Sequence, residues 1–268
     1  MNEITQRLAR EDAVLVWVER TQGSVPREEG TWMAVLRNDV VGTIGGGHLE
    51  FEAIGEARRR LAGATGDEIR RYPLGPTLGQ CCGGVVFLRF EKVAAGQDAT
   101  PLTHRLAAQR APLALFGGGH VGRALVHVLG TLPFEVTWID SRDEIFPAGV
   151  PHNVHCEHSD PVHSAVRELA ANSRVLVMSF SHAQDLDIVA ACLERQRERA
   201  DLSYIGLIGS KTKWAVFRHR LEARGFAQAD FARVTCPIGV PGIAGKEPEV
   251  IAVAVAAQLL QIPRDPLA

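Results

Sequence analysis

The chain has 268 residues, enough for one large domain or two ordinary ones, and 46% are hydrophobic, so a substantial core can form. A formal charge of −2 with no basic run argues against a nucleic-acid partner, and the longest apolar run, Val250 to Leu260, is too short for a bilayer and interrupted by Gln258. The polar Met1 to Arg10 lacks a signal-peptide core, and five cysteines without disulfide-framework spacing fit a reducing, cytoplasmic setting with no membrane role.

Ala13 to Thr21 reads as the first strand. Gly23-Ser24-Val25-Pro26-Arg27-Glu28 is a loop with one strong anion partner, Arg27. Trp32 to Arg37 and Val40 to Ile44 flank Asn38-Asp39, a hairpin signal. Gly45-Gly46-Gly47-His48 then opens a helix from Leu49 to Leu61, with Glu50 in the first turn, where an acid suits the dipole. Gly83 to Val93 reads as a returning strand, which gives a small mixed α/β domain over residues 1–95. Residues 96–111 read as a linker, small and polar at first, with a helical turn or two between Leu102 and Arg110.

From residue 112 a strand–helix rhythm begins. Leu113 to Phe116 is a buried-type strand, Gly117 to Gly122 a glycine turn, and Arg123 to Leu132 a helix. Glu135 to Asp140 is a second strand, with further strands at Asn153–Glu157, Arg174–Ser179, Tyr204–Ile208 and Arg233–Cys236. Asp160-Pro161 looks like a helix N-cap followed by proline at the first helical position. Leu186, Val189, Ala190 and Leu193 share one face of the next helix. The last helix, Pro248 to Gln261, is apolar on nearly every side, as a deeply buried helix or one shared with a second subunit would be. The fold class is α/β: residues 112–268 form a Rossmann-type, doubly wound parallel sheet behind the smaller amino-terminal domain.

Two copies of Gly-Gly-Gly-His, at Gly45–His48 and Gly117–His120, each join a strand to a helix. Such turns present unpaired N–H groups and the positive end of a helix dipole, which suits a phosphate or another anion. In the second copy Gly117, Gly119 and Gly122 form the dinucleotide fingerprint, and Asp140 stands 18 residues beyond Gly122, where such folds bond a ribose hydroxyl. A glycine turn kept only for close helix–strand packing gives the same pattern. The adjacent thiols of Cys81 and Cys82, set among glycines, suit a soft metal, a vicinal disulfide or the acceptance of sulfur; they also suit two small residues entering a strand. Cys156, Cys192 and Cys236 read as core residues. The run His152 to His158 alternates along a strand, so its side chains cannot all converge, and it reads as a solvated edge. His182 follows a strand end, where open α/β sheets bind ligands.

The motifs together resemble the XdhC/CoxI family. Its amino-terminal signature is carried by residues 23–28, by Gly42 to Glu50 and by Gly79-Gln80-Cys81-Cys82-Gly83-Gly84. Its Rossmann part is carried by Phe116 to Gly122, Ile139-Asp140-Ser141-Arg142, Gly206 to Lys213, Cys236-Pro237-Ile238-Gly239 and Gly245-Lys246-Glu247-Pro248. The resemblance implies an accessory protein, not an enzyme: a chaperone that binds the molybdenum cofactor (molybdopterin), protects it, supports its sulfuration and delivers it to apo-xanthine dehydrogenase. The implied partners are the dehydrogenase's molybdenum subunit, a cysteine desulfurase, cofactor-biosynthesis proteins and, as a homodimer, a second copy of the chain.

On this resemblance Cys81 and Cys82 lie near the metal or dithiolene, and Arg27, Gly45, Gly46, Gly47 and His48 hold anionic groups. Gly117, Gly119, His120, Gly122, Asp140 and His182 form the Rossmann cleft, a place for a nucleotide, with Lys211 and Lys213 as added phosphate contacts. Gly118 stands where the family usually has alanine, an exchange that looks harmless in a glycine turn. Ser179-Phe180-Ser181-His182 lacks the first histidine of a Thr-His pair often found there, so no role of that histidine carries over. Two rival readings are an NAD(P)-dependent oxidoreductase, with His120 or His182 as proton donor, and a scaffold that holds only a protein partner.

Overall fold

The computed structural model describes residues 3–74, 83–98, 102 and 110–263. The chain divides into two compact units, Met1–Leu106 and Ala107–Ala268.

The amino-terminal unit is organised by β1 (Ala13–Gln22), whose first six residues are all buried. Val14, Val16 and Val18 pack on Leu49, Ala53 and Ala57 of α2 (Gly47–Leu61). Ala13, Leu15 and Trp17 point the other way and join Ile4 and Leu8 of α1 (Glu3–Leu8). Period-two alternation with apolar groups on both faces makes this a central strand. Around it runs an antiparallel sheet in the order β3 (Val40–Gly42), β2 (Trp32–Val35), β1, β5 (Val85–Val93), β4 (Ile69–Pro73). The expected hairpin forms, but its strands are shorter than the apolar runs suggest. Leu36 N–H closes the turn on Asp39 O, and β3 stops at Gly42 because the backbone beyond it turns its N–H groups toward Glu50.

The carboxy-terminal unit is a six-stranded parallel sheet. Its order is β8 (Val154–His158), β7 (Phe134–Asp140), β6 (Ala111–Phe116), β9 (Ser173–Val177), β10 (Leu202–Leu207), β11 (Val234–Thr235). This is the doubly wound Rossmann order, and the winding reverses between β6 and β9. Leu113, Leu115, Val136 and Trp138 face α3 (His120–Leu129) and α7 (Pro248–Gln261). Ala114, Phe116, Val175 and Val177 face α4 (His182–Glu198) and α5 (Lys211–Glu222). The short helix α6 (Gln228–Phe231) leads into β11. Among the described residues no helix is long and apolar enough to cross a membrane.

Three expectations are corrected. Pro161 is not the first residue of an α-helix; it occupies the cap of a 3₁₀ stretch, Val162–Glu168. The Arg195 guanidinium donates to the carbonyls of Val166 (2.7 Å) and Leu169 (2.8 Å), so this segment takes partners from α4 in place of a further α-helical turn. Of the two readings of α7, deep burial within the chain is the one corrected: Ala252, Val255, Ala256 and Leu259 are buried, whereas Val253 and Leu260 are half exposed. Cys156 is not a core residue, because it lies on the exposed outer part of the edge strand β8.

Asn153 ties the end of α3 to β7. Its amide nitrogen donates to Leu129 O (3.0 Å) and Phe134 O (2.9 Å), and the residue is fully buried. Asn153→Ala removes both bonds and is expected to lower the unfolding free energy of this unit by about 2 kcal/mol, read by urea denaturation with tryptophan fluorescence.

Candidate functional site

In the amino-terminal unit, three of the sequence motifs meet at the end of the sheet where β1 leaves and β5 begins. Gly84 lies against the 23–24 backbone so closely that a Cβ there would stand 2.3 Å from Ser24 O. Gly45 lies against the same loop two residues on, where a Cβ would stand 3.0 Å from Pro26 Cβ and 3.2 Å from Arg27 Cγ. The loop carrying Arg27 therefore touches both the glycine turn and the segment that follows Cys81 and Cys82 in the sequence. Cys81 and Cys82 themselves lie outside the described residues.

The glycine turn is held by Glu50. Its Oε2 accepts from Thr43 Oγ1 (2.5 Å), Ile44 N–H (2.9 Å) and Gly46 N–H (3.1 Å). Partial burial opposes ionisation of Glu50. The bonds from Thr43, Gly46 and Ile44 and the charge of Arg27 outweigh it and hold the carboxyl below its ordinary range. Two N–H groups of the turn are thus committed inside the protein. Open space remains beside Gly46, whose φ of +74° suits glycine, and α2 starts immediately after it. Exposed His48 pairs with Glu52 at 3.3 Å, next to exposed Phe51.

In the carboxy-terminal unit, the strand ends at the reversal point carry the second turn. At Gly117 (φ +126°) a Cβ would fall 2.0 Å from Met178 O, and at Gly122 one would fall 2.1 Å from Gly117 O. Both glycines serve close packing. Gly119 has nothing within 4 Å of its missing Cβ and faces open space, as the position where a pyrophosphate approaches should. Gly118 is less neutral than expected: a Cβ there would stand 2.5 Å from Ile145 Cγ1, so this chain fills the space an alanine would need.

Asp140 is almost fully buried and turned inward. Its Oδ1 accepts from Arg142 N–H and Nε (2.9 Å each), and its Oδ2 accepts from Gly118 N–H (2.7 Å) and Arg142 Nη2 (2.9 Å). Burial raises its pKa, but the bonds from Arg142 and Gly118 prevail and keep it below the usual carboxylate range. Arg142 Cζ lies 4.6 Å above the ring of Phe180, which is 67% exposed.

Beside it, Lys213 Nζ donates to Asp185 Oδ2 (2.7 Å) and Ile208 O (2.8 Å), while Asp185 Oδ1 accepts from Ser179 N–H and Oγ (2.7 Å each). Lys213 is therefore directed into the protein, whereas Lys211 is exposed at the start of α5. His120 and His182 are exposed at the starts of α3 and α4, His182 edge-on to Phe217. Among the described residues no hydrogen bond or ion pair orients either imidazole. Burial pushes the half-buried Cys236 thiol up despite nearby Lys213. The histidines of the His152–His158 run lie on a solvated edge, although Asn153 and Val154 between them are buried: His155 pairs with Glu135 and His152 with Arg110, and no metal-binding cluster occurs among the described residues.

Sequence reasoning missed Arg142, Phe180 and the holding role of Glu50. Arg142 had a signal, since it follows a strand-end acid by two residues and can reach back to the same side. Phe180 had none, because only the structure shows an aromatic left uncovered.

Residues 113–259 match the model of the XdhC Rossmann domain, and residues 7–73 match that of the XdhC and CoxI family. The uncharacterized protein YqeB of Escherichia coli (strain K12) is 26% identical over 252 residues, a match covering 90% of this chain and 42% of that protein. The chain thus spans about two fifths of the length of this curated relative. A crystal structure of a xanthine dehydrogenase from Bacillus halodurans has the same fold, with a TM-score of 0.74 at 20% identity over 97% of this chain and 94% of that one.

Two stability measurements check these assignments. Gly117→Ala should destabilise the carboxy-terminal unit by about 3 kcal/mol or prevent its folding, while Gly119→Ala stays within about 1 kcal/mol of the parent; chemical denaturation separates the two. Glu50→Gln should cost the amino-terminal unit about 1–2 kcal/mol at neutral pH. Because folding depresses this carboxyl's pKa, its contribution is full above the ordinary carboxylate range and fades as pH falls through the folded value. The parent–variant difference should shrink accordingly on acidification.

Proposed function

The chain belongs to the XdhC and CoxI family, and we propose that it is a maturation factor for xanthine dehydrogenase that carries the molybdenum cofactor as cargo. In this reading it binds the cofactor, shields it, supports its sulfuration by a cysteine desulfurase, and hands it to the molybdenum subunit of the apo-enzyme. It receives the cargo from the proteins that complete cofactor synthesis and catalyses no reaction of its own.

The observation that carries this reading is the meeting of the Arg27 loop with the glycine turn and with Gly84, which stands two residues beyond Cys82 in the chain. The donor set fits the cargo. Thiolates suit a soft, sulfur-ligated metal, so Cys81 and Cys82 would serve the molybdenum or dithiolene end. Arg27 and the N–H groups of Gly47 and His48, which have no helical partner at the start of α2, would serve the phosphate end. Gly45 lets the Arg27 stem approach, and Gly46 leaves the room beside it open. Glu50 keeps the turn in shape through Ile44 and Gly46, so the turn need not reorganise when an anion arrives. Bound there, the cargo supplies the redox-active metal that the dehydrogenase later uses. The oxidoreductase reading gains no comparable support, since it needs an oriented proton donor and neither His120 nor His182 has an orienting partner among the described residues.

The test is a titration of released molybdenum cofactor onto the purified protein, read as co-eluting molybdenum and oxidised-pterin fluorescence. The parent protein should form a stoichiometric complex, Cys81→Ala/Cys82→Ala none, and Arg27→Ala one weaker by about tenfold. Failure of the folded parent to bind would overturn the carrier reading; unchanged binding by the double variant would remove the thiols from it.

A further inference from the structure

We infer that the crevice at the strand ends of the carboxy-terminal unit takes a nucleotide whose ribose bears a phosphate monoester, gripped by Arg142 and stacked at Phe180, and that Asp140 does not read the ribose. An ionised carboxylate offers about four acceptor positions. All four on Asp140 are taken, by the N–H of Arg142, by its Nε and Nη2, and by the N–H of Gly118. The residue is 2% exposed. A ribose diol must donate to an acid at this place in the fold, and it finds no acceptor.

What faces outward instead is a guanidinium. Arg142 is about a third exposed, and its Nη1 has no hydrogen-bond partner among the described residues. Its Nε/Nη2 edge is spent on Asp140, so the outward Nη1 end is the charged donor left for a phosphate oxygen. The same guanidinium lies 4.6 Å above Phe180, a large aromatic left 67% exposed in the loop just beyond β9. An arginine layered on an aromatic ring is a surface on which nucleobases stack. The pair is held in place: Gln184 Nε2 donates to Ser141 Oγ (2.9 Å), tying the β7 loop to the first turn of α4. Gly119, with open space at its missing Cβ, leaves room for the 5′-phosphate. Asp140 thus acts as a positioning residue for Arg142. This site is independent of the cofactor reading, and either can fail alone.

The test is isothermal titration of the full chain with adenosine 2′,5′-bisphosphate, ADP and inorganic phosphate. Both nucleotides carry two phosphate groups, one on the 5′ and one on the 2′ oxygen in the bisphosphate and both on the 5′ oxygen in ADP, so the second phosphate moves from the 5′ end to the ribose. The bisphosphate should bind at least about tenfold tighter than ADP and than inorganic phosphate. Arg142→Ala uncovers Asp140, so the preference should invert toward ADP, whose ribose hydroxyls can then donate to it. Phe180→Ala should weaken both nucleotides by a similar factor and leave their ratio unchanged. If Arg142→Ala fails to fold, as judged by thermal unfolding, Arg142→Lys serves: it keeps the charge but loses the fork, and the preference should fall without inverting. Equal affinity of the parent for the two nucleotides, no binding of either, phosphate binding as tightly as the bisphosphate, or a preference unchanged in the arginine variants overturns the assignment.

Discussion

Each of the two Gly-Gly-Gly-His turns is held by a carboxylate that accepts from its backbone, Glu50 from the helix that follows and Asp140 from the neighbouring strand, and the candidate sites depend on this constraint. Glu50 binds the N–H groups of Ile44 and Gly46; Asp140 binds that of Gly118. In both copies the second glycine is the donor. Glycine turns are costly to order and leave N–H groups unpaired, so an internal acceptor at each turn compensates for both. The turn then exists in its working shape before any ligand arrives. The consequence for function is a division of labour: the N–H groups under the carboxylate hold the turn, and those at the helix starts remain for a ligand.

Charge in the carboxy-terminal crevice follows the same logic. Asp140 is paired with Arg142, and Asp185 with Lys213. Buried pairs of this kind contribute little net stability, because desolvation offsets attraction; their value lies in fixing geometry. Asp185 accepts from Ser179 and from Lys213, and Lys213 also donates to Ile208 O, which braces the ends of β9 and β10. Asp140 fixes Arg142 above Phe180. The two acids lie inside, and the Arg142 guanidinium lies nearer the surface.

Much of this architecture was legible in the sequence, unevenly and for identifiable reasons. The Rossmann strands were legible because a parallel sheet covered on both faces needs continuous apolar runs, and Leu113 to Phe116 and Val175 to Val177 supply them. Helix α1 was not, since it carries only Ile4 and Leu8 as core contacts, and β4 was not, since Tyr72 is its one buried residue. At Pro161 local reasoning pointed to an α-helix, yet Arg195 reaches across from α4 and supplies the donors that make a tighter 3₁₀ stretch sufficient. That bond joins residues 29 positions apart, which no local pattern can reveal.

By itself the sequence determined the two-domain α/β organisation, the place of both glycine turns at strand–helix junctions, and the family resemblance, because each rests on local spacing that survives in any compact fold. Which partner each polar group takes depends on long-range packing. In the sequence Glu50 reads as an acid suiting a helix dipole, Asp140 as one that bonds a ribose hydroxyl, and Lys213 as an added phosphate contact. Folding brings a backbone N–H or an opposite charge within 3 Å of each, and a buried ionised group must take the nearest partner that restores what water supplied. Arg142 and Phe180, which carry no signature of their own, stand outward for the same reason: the groups around them are already satisfied.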